Sequence, residues 1–263
     1  MKFARVNEVV LHYADDGPPA APALLLVNSL GSDFRLWDEV AAILARRRRV
    51  VRFDKRGHGL SQYSGEALAI ADYASDAAAL LEHLRVDHAD VLGLSVGGMV
   101  AMELCRLRPE RVRSLALCDT AHKIGTAESW AARIGAIASG GIAAIEDGVT
   151  AGWVTQAYAK ANGEAMAIWR AMLSRTQPAA YVAACEAIAA ADLTQAAKAI
   201  AKPTLCIVGE ADQSTPPALM RELAALIPGA RLEILAGAAH LPCIEKPEAV
   251  AALVEAHLQG LPA

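Results

Sequence analysis

The stretch VLGLSVGG at residues 91–98 joins a short aliphatic run to a helix-like run, and it decides the fold. Within it Ser95 stands between Gly93 and Gly97, with one residue on either side. A sharp turn from a strand into a helix strains its central residue. It also brings the strand and the helix so close that only small side chains fit two positions before and after. We therefore predict that Ser95 lies at such a turn, with its hydroxyl at the edge of a sheet.

Short apolar runs alternate with amphipathic stretches on both sides of this turn. The strand-like runs are ALLLVNS, RRVVRFD, ADVLGLS, VRSLALCDT, KPTLCIVGE and ARLEILAG. The stretches 71–84 and 97–107 each fit a helix with one apolar face. This alternation predicts an α/β fold in which a mostly parallel central sheet is flanked by helices. The opening FARVNEVVLHYADDG predicts an antiparallel hairpin at the sheet edge.

The alternation stops between residues 122 and 190, a segment that is rich in alanine and holds three of the four tryptophans. Its helix-like stretches are 126–138, 142–150, 164–175 and 178–190. A helical insertion between two strands of a parallel sheet commonly lies over the carboxyl edge of the sheet, where ligands bind. We predict a core domain formed by residues 1–121 and 191–263 and a helical cap formed by residues 122–190.

Composition excludes several classes of protein. The 263 residues are 54% hydrophobic and 21% charged, which predicts a compact fold. With 25 basic and 29 acidic residues the net charge is −4, so we expect no nucleic-acid partner. No apolar stretch approaches the ~18 residues that cross a bilayer, and the start MKFARVNE lacks the apolar core of a signal peptide. These features and five cysteines without a CxxC pair predict a cytoplasmic protein with no membrane partner.

A serine hydroxyl is a weak nucleophile without a base, so a histidine and an orienting acid should exist elsewhere in the chain. We predict His240 as the base, because LEILAGAAHLP is a strand followed by a loop of small residues. Asp212 follows the preceding strand and is the predicted acid, whereas its neighbour Glu210 should point elsewhere. Asp119, after the run LALC, is the reserve candidate. Serine, acid and histidine then occur in the order expected for a triad on parallel strand ends.

These spacings resemble the α/β-hydrolase family across essentially the whole chain. The stretch RFDKRGHGLS at 52–61 looks like the Asp-x-Arg-Gly-x-Gly-x-Ser segment of that family. In the family this segment braces the loops around the nucleophile. The resemblance therefore implies that Asp54, Arg56 and His58 are scaffold residues and not catalysts.

The resemblance also implies an oxyanion hole made of two backbone N–H groups. One belongs to Val96, the residue after the predicted nucleophile. The other should come from the loop after the first parallel strand, where most relatives carry His-Gly and this chain carries Asn-Ser-Leu-Gly at 28–31. The matching donor in this loop is the N–H of Leu30.

The loop NSLGSDFRLWD at 28–38, together with GLSVGG and the helical cap, looks specifically like the 3-oxoadipate enol-lactonases of the β-ketoadipate pathway of aromatic catabolism. This resemblance implies a small anionic enol-lactone as substrate and no metal or organic cofactor. An anionic substrate predicts an arginine in the pocket. We predict Arg133 on the first cap helix, with Trp153 as an apolar wall. Arg170 and Arg175 are alternatives to Arg133.

Other activities share the predicted fold and triad. A general carboxylesterase, a cofactor-free perhydrolase and a hydrolase of aromatic ring-cleavage products all remain open. Epoxide hydrolases and haloalkane dehalogenases use an aspartate nucleophile, so Ser95 argues against both. A hydrolase-like small-molecule receptor with slow turnover is the non-enzyme alternative.

Overall fold

A computed structural model describes residues 1–260 of the chain as one eight-stranded sheet with helices packed around it. The strands are β1 (Lys2–Val6), β2 (Val9–Asp16), β3 (Ala23–Val27), β4 (Arg49–Phe53), β5 (Ala89–Leu94), β6 (Val112–Cys118), β7 (Thr204–Gly209) and β8 (Arg231–Leu235). Their order across the sheet is β1-β2-β4-β3-β5-β6-β7-β8. β2 runs antiparallel to β1 and β4, and all other neighbouring pairs are parallel. The predicted mostly parallel sheet is confirmed.

Helices connect the parallel strands and cover the sheet. In the described residues they are α1 (Asp38–Leu44), α2 (Ile70–His83), α3 (Val96–Leu107), α4 (Ala127–Gly140), α5 (Ala143–Ala151), α6 (Gln156–Ala161), α7 (Gly163–Ser174), α8 (Pro178–Ala190), α9 (Thr194–Lys198), α10 (Pro217–Leu226), α11 (Pro242–Glu245) and α12 (Pro247–Gln259). Helix α2 packs on α3, and α1 packs on α12. Every residue of β5 and β7 is buried, as expected of parallel strands with both faces covered. None of these helices is long and apolar enough to cross a bilayer.

Six helices, α4 to α9, lie between β6 and β7 without a strand among them, and the first five, α4 to α8, belong to the segment 122–190. Helix α4 contacts α5 and α8, α5 contacts α7, and α7 contacts α6, so α4 to α8 form a connected layer. Helices α6 and α9 were not predicted, because six and five residues are too few to show a helical period. The division of the chain into a core and a cap stays a prediction.

The sheet order brings loops from distant parts of the chain to one edge. The carboxyl ends of β4, β3, β5, β6, β7 and β8 all lie at that edge, because these six strands are parallel. The residues that follow these ends include, in sheet order, Lys55, Leu30, Ser95, Asp119, Asp212 and His240. Every predicted member of the triad and of the oxyanion hole therefore stands at the same edge.

Candidate active site

Ser95 sits between β5 and α3 with a strained backbone, at φ 58° and ψ −122°. The two glycines of the motif are needed for packing. A Cβ on Gly97 would lie 2.1 Å from the carbonyl oxygen of Val27, and one on Gly93 would lie 2.2 Å from that of Gly97. The predicted close approach of strand and helix is therefore present at both positions.

Hydrogen bonds from β6 and α3 hold this turn. The N–H of Ser95 donates to the carbonyl of Cys118 at 2.9 Å, and the Thr120 hydroxyl donates to the carbonyl of Ser95 at 2.6 Å. The N–H of Gly98 donates to the same carbonyl at 2.9 Å. A non-glycine residue at positive φ costs about 1–3 kcal/mol, so the surrounding structure must fix it.

His240 and Asp212 form a buried pair. Nδ1 of His240 lies 2.9 Å from Oδ2 of Asp212. That carboxylate is held in turn by the hydroxyl of Thr215 at 2.7 Å and by the N–H groups of Ser214 at 2.8 Å and Thr215 at 3.2 Å. A carboxylate on Nδ1 selects the tautomer that leaves Nε2 free to accept a proton.

The charge of Asp212 is well stabilised. Burial by itself would raise the pKa of this carboxyl. The His240 charge and the hydrogen bonds from His240, Thr215 and Ser214 outweigh burial, and they lower the pKa to about 2. Asp212 is therefore an anion at neutral pH and can stabilise a protonated imidazole.

Asp119, the reserve candidate, lies behind this pair. Its carboxylate accepts hydrogen bonds from the N–H of Gly209 at 2.8 Å and from the thiol of Cys118 at 3.1 Å. Burial and the nearby charge of Asp212 raise the pKa of Asp119 well above its usual range. The carboxyl hydrogen-bonded to the imidazole is that of Asp212, and Asp119 lies behind it.

A metal ion could be considered at this place, because polar atoms of Asp119, Asp212 and His240 lie within 4.8 Å of one another. Nδ1 of His240 is already bonded to Asp212, however, and the carboxyl of Asp119 is already bonded to Gly209 and Cys118. The arrangement suits a hydrogen-bonded pair of Asp212 and His240 better than a metal centre.

The loop of His240 is tied to the segment between α5 and α6. The N–H of Leu241 donates to the carbonyl of Trp153 at 2.7 Å. The carboxylate of Glu245 accepts from the N–H of Ala239 at 2.6 Å and from both the N–H and the hydroxyl of Thr155, at 2.9 and 2.6 Å. These contacts tie the loop of His240 to the segment that carries Trp153 and Thr155.

Ser95 and His240 line one cavity of about 270 Å³. Leu30 lines it too, and Val96 begins α3 beside it. Neither the N–H of Leu30 nor that of Val96 donates to another group in residues 1–260. Both amides are thus available for a ligand oxygen at the rim of this cavity.

The three arginine candidates differ in their position relative to this cavity. Arg133 lines it, with its guanidinium carbon 5.1 Å from the ring centre of Trp130. Arg170 instead pairs with Asp147 and Glu146 outside the cavity, and Arg175 lines a different cavity. Trp153 lines the same cavity as Arg133.

Several lining residues were not predicted from the sequence. Ser129, Tyr181, Ile188 and Gln213 also face the cavity. Thr215 could have been found, because an aspartate in a turn commonly accepts hydrogen bonds from the backbone just after it, as Asp212 does from Ser214 and Thr215. The others come from helices and loops with no local signal for the cavity side.

Comparisons with known proteins agree with this geometry. Residues 24–253 match the Alpha/beta hydrolase family. The chain is 32% identical over 250 residues to 3-oxoadipate enol-lactonase 2 of Acinetobacter baylyi, covering 95% of this chain and 93% of that protein. The crystal structure of the enol-lactonase from Burkholderia xenovorans LB400 superposes with a TM-score of 0.95 at 36% identity, covering 98% of this chain and all of that one.

An esterase is also similar. A thermophilic esterase from Thermogutta terrifontis superposes with a TM-score of 0.90 at 28% identity, covering 95% of this chain and 93% of that one. The resemblance to enol-lactonases predicted from the loop at 28–38 is confirmed, and esterases share the fold.

Proposed function

The chain belongs to the alpha/beta hydrolase family, and we propose that this ester-hydrolysing enzyme opens the ring of 3-oxoadipate enol-lactone to give 3-oxoadipate, a step of the β-ketoadipate pathway. The assignment of this substrate rests on the position of Arg133 in the cavity. Among the described residues that line the cavity with Ser95 and His240, it is the only lysine or arginine. No carboxylate in residues 1–260 forms an ion pair with it, so the carboxylate of the lactone supplies its partner.

The first step uses Ser95 as nucleophile. Its Oγ attacks the ring carbonyl carbon while Nε2 of His240 accepts the hydroxyl proton. Asp212 stabilises the resulting imidazolium. The carbonyl oxygen becomes an oxyanion, which the N–H groups of Leu30 and Val96 stabilise.

The ring then opens without loss of a fragment. The bond between the acyl carbon and the ring oxygen breaks, and that oxygen leaves as an enolate that stays attached to the acyl chain. The enolate takes up the proton that His240 received from Ser95 and tautomerises to a ketone, so His240 is again neutral for the second step. An enolate is a good leaving group, so the first step needs little acid assistance from His240.

The second step releases the product. Water gives a proton to His240 and its oxygen attacks the acyl carbon. The new tetrahedral intermediate collapses, the bond to Ser95 Oγ breaks, and His240 returns the proton to the serine. The product is 3-oxoadipate, and these steps require no metal or organic cofactor.

The cavity supports a small substrate. Its volume of about 270 Å³ lies just below the usual range of ligand pockets, roughly 300–1,000 Å³. Trp130, Trp153 and Val149 supply apolar walls from the helical layer, opposite the loops of the sheet edge. We propose that this layer, residues 122–190, acts as a cap that shields the lactone ring from water.

A spectrophotometric assay tests the proposal. Loss of the enol-lactone chromophore should follow saturation kinetics with the wild type, and Ser95→Ala should lower kcat at least ~1000-fold. If the wild type leaves the lactone intact but rapidly cleaves p-nitrophenyl acetate, the protein is a carboxylesterase, the second candidate, and not a lactonase. Release of one equivalent of p-nitrophenol followed by very slow turnover would favour a hydrolase-like small-molecule receptor.

A further inference from the structure

Lys55 lies against the loop that carries Leu30. It follows β4, its side chain is fully buried, and its Nζ donates to the carbonyl oxygens of Asn28 and Ser29, at 2.9 Å each. A buried amine or ammonium is costly unless its donors are paired. The two carbonyls of the loop are the hydrogen-bond partners that the structure gives this side chain.

One of these carbonyls shares a peptide unit with the N–H of Leu30. Residues 1–260 contain no cis peptide bond, and in a trans unit the N–H points away from the C=O. Because the Ser29 carbonyl points to Lys55, the N–H of Leu30 points to the opposite side. Ser29 and Leu30 both line the cavity that contains Ser95. The hydroxyl of Ser32 donates to the same carbonyl at 2.9 Å.

We infer that Lys55 is a positioning residue for the oxyanion hole. It holds the Ser29–Leu30 peptide with its N–H towards the cavity and polarises that peptide, so that the N–H of Leu30 is a stronger donor to the developing oxyanion. Donors on a carbonyl strengthen the N–H of the same unit, since hydrogen bonds in a chain polarise one another. This inference rests on the proposed function, because it requires acyl transfer at Ser95.

The charged groups around Lys55 are consistent with this role. Asp33 and Asp54 favour its charged form, while burial opposes it more strongly and lowers the pKa of Lys55 to about 7. His58 is also close, and burial together with the Lys55 charge lowers the pKa of His58 well below its usual value. An amine and an ammonium both carry N–H donors, so Lys55 can hold the peptide in either state, and polarisation is stronger when it is charged.

Lys55→Met tests the inference, because it keeps an unbranched side chain that is one atom shorter and removes its donors. Pre-steady-state acylation by p-nitrophenyl acetate should slow by roughly 10–100-fold, below the ~100–1000-fold cost of losing a whole oxyanion donor. The apparent dissociation constant of the ester should change less than about threefold, because ground-state binding does not need the oxyanion hole. Phenylboronic acid, which forms a tetrahedral adduct on the serine, should bind at least ~10-fold more weakly.

Matched variants separate positioning from loss of stability. Arg56→Met removes a neighbouring cation that pairs with Asp76 and Glu66, and it should lower Tm while leaving acylation and boronate affinity unchanged. Lys55→Gln restores neutral N–H donors and should recover part of the acylation rate. Equal acylation rates in wild type and Lys55→Met, or an equal loss in Arg56→Met, would overturn the inference.

A measurement on the wild type applies even if both Lys55 variants fail to fold. The amide resonance of Leu30 should move when the boronate adduct forms, and an unchanged resonance would overturn the inference. The result would differ if the proposed substrate were wrong. In that case the wild type cleaves p-nitrophenyl acetate through Ser95 but not the lactone, and the Lys55 comparison is unaffected.

Discussion

Replacing Arg133 by methionine should weaken catalysis on the anionic lactone alone. The substitution keeps an apolar side chain against Trp130 and removes the guanidinium that lines the cavity. A hydrogen bond to a charged group contributes about 1.5–3 kcal/mol. At about 1.4 kcal/mol per tenfold change, kcat/KM for the enol-lactone should fall roughly 10- to 150-fold.

The assay compares two substrates on each variant. Loss of the lactone chromophore reports the anionic substrate, and p-nitrophenyl acetate reports a neutral ester, for which kcat/KM should stay within about threefold because no carboxylate is bound. Arg170→Met is the matched control, since Arg170 pairs with Asp147 outside the cavity and should affect neither substrate. Equal losses on lactone and ester in Arg133→Met, or none on either, would refute a carboxylate site at Arg133.

Three further substitutions test the triad, the serine turn and the buried lysine. Asp212→Asn should lower kcat by ~10,000-fold in lactone assays with little change in KM, because the imidazole loses its anionic partner and its correct tautomer. A loss of kcat below tenfold would contradict the assignment of Asp212 as the acid of the triad. Gly97→Ala should lower the free energy of unfolding, measured in urea, by about 1–3 kcal/mol, because the new Cβ would lie 2.1 Å from a backbone oxygen. The control is Gly135→Ala, which has open space around the new Cβ and should not destabilise the protein. The pKa of Lys55 is about 7 when folded and 10.5 in its ordinary state, so between these values the unfolded chain binds one more proton and stability rises with pH. Urea titrations should give the wild type a slope about 1.4 kcal/mol per pH unit steeper than that of Lys55→Met, and parallel curves would show that the buried amine does not titrate there.

Features with local physical causes could be predicted from the sequence. The glycines around Ser95 indicated a strand and a helix in close contact, and the structure shows that contact at Gly93 and Gly97. Buried parallel strands have long apolar runs because both faces are covered, so β5 and β7 were visible in the sequence. Helices α6 and α9 were not predicted, because a period cannot be read from one or two turns.

Which side chains face the cavity could be predicted only in part. Arg133, Arg170 and Arg175 all lie on predicted cap helices, and the sequence does not show which of the three faces the cavity. That choice depends on how α4 and α7 rotate against their neighbours, which is set by packing across the layer.

Lys55 shows a second limit. Its motif indicated a scaffold around the nucleophile, and its neighbours in the chain fit that description, since Asp54 accepts from the N–H of Phe34 and Arg56 pairs with Asp76 of α2. The contact of Lys55 with Ser29 requires that β4 and β3 lie side by side, so that the residue after one strand meets the loop after the other. Sheet order, which no local pattern encodes, thus turns a residue of a structural motif into a support for the oxyanion loop. Other members of this fold that carry a buried lysine at this strand end should show the same dependence of acylation rate on its donors.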